Sequence, residues 1–193
     1  MMCAELQKVK ELKLKELNKE IFVCNKCSFN EKTDTRQCDG IGKDYSVMFV
    51  CESPSTAGGA GKFNNQSNFN CTKADNLFNN YKKRYGLDEC YTTDFVKCGV
   101  PNDKPDNEKI ENCSKYAQQE IEIVTPKIIV AVGRIAYNLL NQYIYNIKVP
   151  IILIYHYSYI YRWCRNKPSK ISEYENQFKE IAKKLAESAS TIQ

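Results

Sequence analysis

Residues 127–158 read KIIVAVGRIAYNLLNQYIYNIKVPIILIYHYS. Two aliphatic runs, KIIVAV at 127–132 and VPIILIY at 149–155, flank a stretch from Arg134 to about Gln142 with helical spacing. Runs that are apolar at nearly every position, rather than at alternate ones, belong to strands buried on both faces. Strand, helix and strand in that order predict a mostly parallel sheet covered by helices on both sides.

The flanking sequence extends the same pattern. SVMFVC at 46–51 reads as a further buried strand, and YTTDFV at 91–96 as a short one. Between them lie a Gly, Ser and Asn-rich stretch from Glu52 to Asn70 and a predicted helix over 73–85. Helical spacing also covers roughly 107–124 and 170–188. At the start of the chain, Leu6, Val9, Leu12, Leu17 and Ile21 recur at helical intervals among Lys and Glu, which gives an amphipathic N-terminal helix. The expected fold class is α/β, a three-layer α/β/α sandwich with a central, mostly parallel four-stranded sheet and an N-terminal helix. Ligands gather at the carboxyl ends of such strands. The loops at those ends begin at Glu52, Lys97, Gly133 and His156, the last being the chain's one histidine.

With 193 residues and 42% apolar side chains, the chain has material for one core, so one domain over 1–193 is expected. A formal charge of +5 permits a polyanionic partner without requiring one. The opening MMCAELQKVKELK is charged and has no apolar run before a small-residue cleavage site, which predicts an intracellular, cytoplasmic protein. VPIILIY falls far short of the ~20 apolar residues of a membrane helix, so no membrane partner is expected.

Ten cysteines in a reducing compartment need a use other than disulfides. CNKC supplies Cys24 and Cys27 as a clamp, and Cys98 and Cys113 sit at a strand end and on the next helix. Four thiolates suit tetrahedral zinc or a 4Fe-4S cluster. The wide separation of the second pair favours the cluster, since zinc ribbons pair two short knuckles. Cys3, Cys38, Cys51, Cys71, Cys90 and Cys164 are read as ordinary thiols.

In order along the chain, CNKC, CESPS, SNFNCTKADNLF, TDFVKCGVP, IENC and YHYSYIYR resemble the motifs of the iron-sulfur uracil-DNA glycosylases, the family usually numbered four. That resemblance implies a DNA glycosylase of base excision repair that flips a uracil or other deaminated or modified base. It would hydrolyse the N-glycosidic bond and leave an abasic site, acting as a monomer on DNA. Cys24, Cys27, Cys98 and Cys113 would hold a structural 4Fe-4S cluster. Glu52 would lie near the attacking water with Ser53 under the base, and Pro54 and Ser55 would approach a phosphate. Phe69, or alternatively Phe63, would stack on the base. Asp94 falls where the family reads the base with Asn. His156 would support the departing base, Ser158 would pinch a phosphate, and 160–163 would fill the vacated stack. Arg162, Lys97 and Lys62 are candidates for phosphate contacts, Arg162 foremost.

The chemistry suits those residue types. Glycosidic cleavage puts negative charge on the base, which a histidine N–H stabilises electrostatically. Flipping costs a few kcal/mol, offset by stacking and by hydrogen bonds to the base edge. No lysine is placed as a Schiff-base nucleophile, so a monofunctional enzyme is expected. An Asn amide accepts from uracil N3–H and donates to O4, whereas an ionised Asp94 can only accept. Asp94 therefore suits a base presenting an amino group, or else must be protonated, which burial favours. Cys51 and Ser55 stand where the family has Gly, and Tyr157 where it has Pro. Two rival readings are a DNA-binding module that retains the cluster and pocket without turnover, and a zinc-stabilised nucleotide-binding protein.

Overall fold

A computed structural model describes residues 2–27, 35–36, 40–54, 72–99 and 105–190. The chain runs α1 (Met2–Phe22), β1 (Thr35–Arg36), β2 (Asp44–Cys51), α2 (Lys73–Arg84), β3 (Cys90–Asp94), β4 (Cys98–Gly99), α3 (Asn107–Val124), β5 (Ile128–Val132), α4 (Arg134–Tyr143), β6 (Ile151–Ile154), α5 (Tyr157–Tyr159), a π-helical turn (Ile160–Cys164) and α6 (Pro168–Ser190). Four strands form one sheet in the order β3-β2-β5-β6. Every neighbouring pair is parallel.

Apolar side chains on both faces of the central strands explain this layering. In β2, Val47, Phe49 and Cys51 enter one core while Met48 and Val50 enter the other. In β5, Ile128, Val130 and Val132 alternate with Ile129 and Ala131 in the same way. A strand with no polar face has to be covered twice. Helices α2 and α6 cover one side with Phe78, Tyr174 and Phe178. Helices α3 and α4 cover the other, contributing Ala117, Val124, Leu139 and Leu140. Helix α1 adds Leu14 to that second core and packs Leu17 and Ile21 against Tyr116 of α3.

The predicted elements are all present, with two additions and several shifted ends. Residues 35–36 and 98–99 pair as a two-residue antiparallel ladder, and the chain after His156 winds into the π turn. The strand expected over 91–96 stops at Asp94. Phe95 and Val96 continue its line by donating their N–H groups to the carbonyls of Cys51 and Glu52 at 2.9 and 3.0 Å. From β2 the chain crosses to one side of the sheet and from β5 to the other, so the carboxyl ends of these two neighbours flank the switch point where such sheets bind ligands.

Candidate active site

Glu52, Asp94, Gly133 and His156 all lie at the carboxyl ends of the parallel strands. Cys51 of β2 is in register with Asp94 of β3, and the Gly133 N–H is held by the carbonyl of Ile154 at 2.9 Å. Gly133 has a φ of +94°, and a Cβ there would come within 3.1 Å of the His156 Cβ. A glycine at the end of β5 thus gives the histidine turn both its room and its backbone path.

His156 is partly buried, and the geometry of its turn settles its tautomer. The Ser158 N–H points to Nδ1 at 3.2 Å and the Ser158 hydroxyl lies 2.7 Å from the same nitrogen. A backbone N–H only donates, so Nδ1 carries the lone pair and the neutral ring has its proton on Nε2. Burial pulls the imidazole pKa down to about 4, helped by Arg162 and opposed by the negative charge of Asp75. At neutral pH the ring is therefore uncharged and keeps one N–H for a ligand.

Asp94 is 4% exposed and makes no hydrogen bond among the described residues. Burial raises its carboxyl to about 7; Lys97 opposes the shift, while Glu120, Glu52 and Asp75 add to it. Glu52 and Asp75 thus both act on the Asp94 carboxyl at this end of the sheet. Beside them, Tyr157 is buried and stacks on Phe78 with ring centroids 5.0 Å apart and on His156 at 4.4 Å.

The other expected site residues divide three ways. Glu52 and Ser53 are partly buried and Pro54 is buried. Arg162 and Trp163 are exposed, Trp163 at 70%. Ile160 is fully buried, so the projecting part of the expected 160–163 wedge is its Arg162 and Trp163 end. Ser55, Lys62, Phe63 and Phe69 lie outside the described residues.

Lys97 does not fit the expected phosphate contact. Its ammonium is 1% exposed and lies 2.6 Å from the equally buried Glu120 carboxylate, with Thr93 Oγ1 at 2.8 Å. Lysine spacing alone could not distinguish a solvated cation from one half of a buried pair. Asp75 and Gly133 were not singled out as site residues by sequence. The signal for Asp75 was Thr72-x-x-Asp75 ahead of an apolar run, the pattern of a capping box.

The four cysteines proposed as ligands arise from three parts of the chain. Charges on Cys24 and Cys27 both act on the Cys113 thiol. Asn112 Nδ2 donates to Cys27 Sγ at 3.3 Å, and the Lys97 N–H, one residue before Cys98, donates to Cys113 Sγ at 3.4 Å. Such N–H donors are the usual outer partners of thiolate ligands. The donor chemistry thus fits a thiolate-held iron-sulfur or zinc centre. Among the described residues, however, no group of three or more His, Cys, Asp or Glu is drawn together closely enough to hold a metal ion. Cys51, Cys90 and Cys164 are buried, as expected of plain thiols, and Cys3, Cys38 and Cys71 carry no described side chain.

Residues 40–185 match the family model of the uracil DNA glycosylase superfamily. The chain belongs to that superfamily. The matched span covers the whole four-stranded sheet and both layers of helices on it except the end of α6, and it leaves out all of α1 and the CNKC clamp. The chain is 27% identical to the type-4 uracil-DNA glycosylase of Archaeoglobus fulgidus over 216 aligned positions, spanning 93% of this chain and 96% of the relative. It is 32% identical to the type-4 uracil-DNA glycosylase of Sulfurisphaera tokodaii over 134 positions, 63% of this chain and 54% of the relative. A segment of 47 positions, 24% of this chain and 21% of the relative, is 40% identical to the type-5 uracil-DNA glycosylase of Pyrobaculum aerophilum. Among the described residues, no helix is long and apolar enough to cross a membrane.

Proposed function

We propose that this superfamily member is a monofunctional uracil-DNA glycosylase of the type-4 kind, acting on DNA in base excision repair. It flips the base, hydrolyses the N-glycosidic bond and leaves an abasic site. The observation that carries this reading is His156, a neutral imidazole whose Nδ1 is occupied by Ser158 and whose remaining proton is on Nε2. As the glycosidic bond breaks, that N–H donates to the base oxygen on which negative charge develops, without first having to lose or gain a proton. Glu52 orients the attacking water, with Ser53 beneath the base. Phe69 stacks on the base, and Pro54, Ser55 and Arg162 meet phosphates. The two most deeply buried lysines among the described residues, Lys82 and Lys97, support the monofunctional assignment. Lys97 is paired with Glu120, and Lys82 is bonded to the Cys90 carbonyl and the Thr92 hydroxyl, so neither amine is free to form a Schiff base.

Asp94 reads the base edge. In its protonated form a carboxylic acid presents one acceptor and one donor, the same pair that an Asn amide offers to uracil N3–H and O4. The environment that raises Asp94 to about 7 makes that form available near neutral pH. Cys24, Cys27, Cys98 and Cys113 hold a 4Fe-4S cluster. When bound, the cluster ties the CNKC clamp to the 97–98 segment and α3 and takes no part in the bond cleavage. The whole chain, 1–193, acts as one domain and as a monomer.

Oligonucleotides carrying uracil, hypoxanthine, xanthine or cytosine, treated with the protein and then with alkali, test this reading. Strand breaks at uracil are expected. Tight binding of all four with no base released would instead establish a DNA-binding module.

A further inference from the structure

Between Glu122 and Glu173 lie fifty residues without an aspartate or glutamate, and they carry seven lysines and arginines. That exceeds the whole chain's +5, so the rest of the protein is net acidic. A basic segment of this kind is an electrostatic footprint for a polyanion. Its part beyond β6 has a second property. Tyr157, Ile160 and Cys164 are buried, whereas Tyr159, Arg162 and Trp163 are exposed, the two rings at 41% and 70%. Spaced three and four residues apart across α5 and the π turn, these last three share the outer face. Arg165 and Lys167 follow, both exposed. Among the described residues, no carboxylate forms an ion pair with Arg162, Arg165 or Lys167.

The Tyr159 ring is also braced. Tyr155 packs beside it with ring centroids 5.8 Å apart. The Tyr155 hydroxyl donates to Glu173 Oε2 at 2.7 Å. Lys170 Nζ lies 5.3 Å from the centre of the Tyr155 ring and 2.7 Å from the same carboxylate oxygen, whose charge it offsets. Helix α6 thus holds the inner ring, and the inner ring restrains the outer one.

We propose that the face formed by Tyr159, Arg162 and Trp163, continued by Arg165 and Lys167, is a stacking track for unpaired DNA bases, which makes single-stranded or locally opened DNA the substrate class. The binding half of this inference stands without the glycosylase reading, and the substrate half rests on it. A ring face stacks on any base and a guanidinium adds charge beside it, so aromatic and basic groups occur together where a protein follows a single strand. In a duplex the bases already stack on one another, and an inserted side chain has to part a base step. Two exposed aromatics one turn apart are used together only on bases that are already unpaired.

Trp163 is the chain's one tryptophan, so indole emission reports contacts at this face directly. The test titrates the protein with an all-thymine strand of about 12 nucleotides and with the corresponding duplex, neither containing uracil. The single strand should quench the emission and bind about 10-fold more tightly than the duplex. By anisotropy of a labelled strand, Trp163→Ala and Tyr159→Ala should each weaken single-strand binding about 10-fold, and Trp163→Phe should keep most of it. Arg165→Gln and Lys167→Gln should each flatten the dependence of log affinity on log salt by about 0.7.

Emission unchanged by the single strand, or a duplex bound as tightly as the strand, would overturn the proposal. Uracil released faster from duplex than from single-stranded DNA would overturn its substrate half. Quenching by the strand in a protein that releases no uracil from any oligonucleotide would support the track and remove the glycosylase reading.

Discussion

His156 and Asp94 are displaced from their ordinary titration ranges by the same cause, and with opposite consequences. Burial disfavours charge on both, so the histidine stays neutral down to about 4 and the acid holds its proton up to about 7. For activity, protonated Asp94 matches uracil and ionised Asp94 does not. Uracil release by the parent should therefore fall as pH rises through about 7, while Asp94→Asn should show no such fall in a pH–rate profile. Equal profiles for the two proteins would exclude Asp94 as the base reader. For stability, an acid raised above its unfolded value of 3.8 contributes most below that pH, and the contribution disappears as pH rises through about 7. Asp94→Asn should thus raise the melting temperature relative to the parent at pH 8 more than at pH 4. Gly133 belongs to the same scale. A methyl group at its φ of +94° and 3.1 Å from the His156 Cβ should cost on the order of 1–3 kcal/mol in urea unfolding. It should also slow uracil release by displacing the imidazole; parent-like stability and rate in Gly133→Ala would contradict the crowding described for this turn.

Elements were more legible in the sequence than their contacts. Strands β2 and β5 were evident because both of their faces are apolar, and α2, α3 and α6 because their buried residues recur at helical spacing. The two-residue ladder between β1 and β4 left no trace, since two residues carry no periodicity and their pairing is tertiary. The π turn was missed for a related reason: Ile160 and Cys164 are buried in a stretch that reads equally well as an ordinary helical turn. Site positions at strand ends followed from the alternation of elements, but the partners of those positions did not. Phe78 meets Tyr157 only because α2 and the turn after β6 lie on the same face of the sheet. Lys97 was misassigned because Glu120, its partner, comes from the far end of α3. That pair, reinforced by Tyr91 and Thr93 hydroxyls on Glu120 at 2.8 and 3.0 Å, fixes the segment between Asp94 and Cys98 against α3. Glu120→Ala leaves a buried ammonium uncompensated and should cost about 3–5 kcal/mol. Adding Lys97→Met should restore much of that loss in the urea midpoint. Equal destabilisation by the single and double variants would mean that the pair is not what holds this segment.

Across the whole molecule, the parallel sheet collects the proposed base-handling groups at the carboxyl ends of its strands, and the CNKC clamp and the 97–98 segment both contact α3. The long stretch from 55 to 71 carries Phe69, so one wall of the proposed pocket rests on sequence resemblance alone. Thiol count and spacing restrict the proposed metal centre to iron-sulfur or zinc, and the N–H donors on Cys27 and Cys113 suit either. Protein prepared without oxygen should be brown, and Cys24→Ser or Cys113→Ser should lose both colour and thermal stability; colourless protein containing one zinc per chain would replace the cluster with zinc. The central claim is that a neutral His156 drives glycosidic cleavage at uracil. It is tested most directly by the single-turnover rate of uracil release from a DNA oligonucleotide by the parent and by His156→Ala. The account predicts release by the parent and a loss of about 100-fold or more in the variant, with binding of the oligonucleotide retained. Equal rates in the two proteins would contradict it.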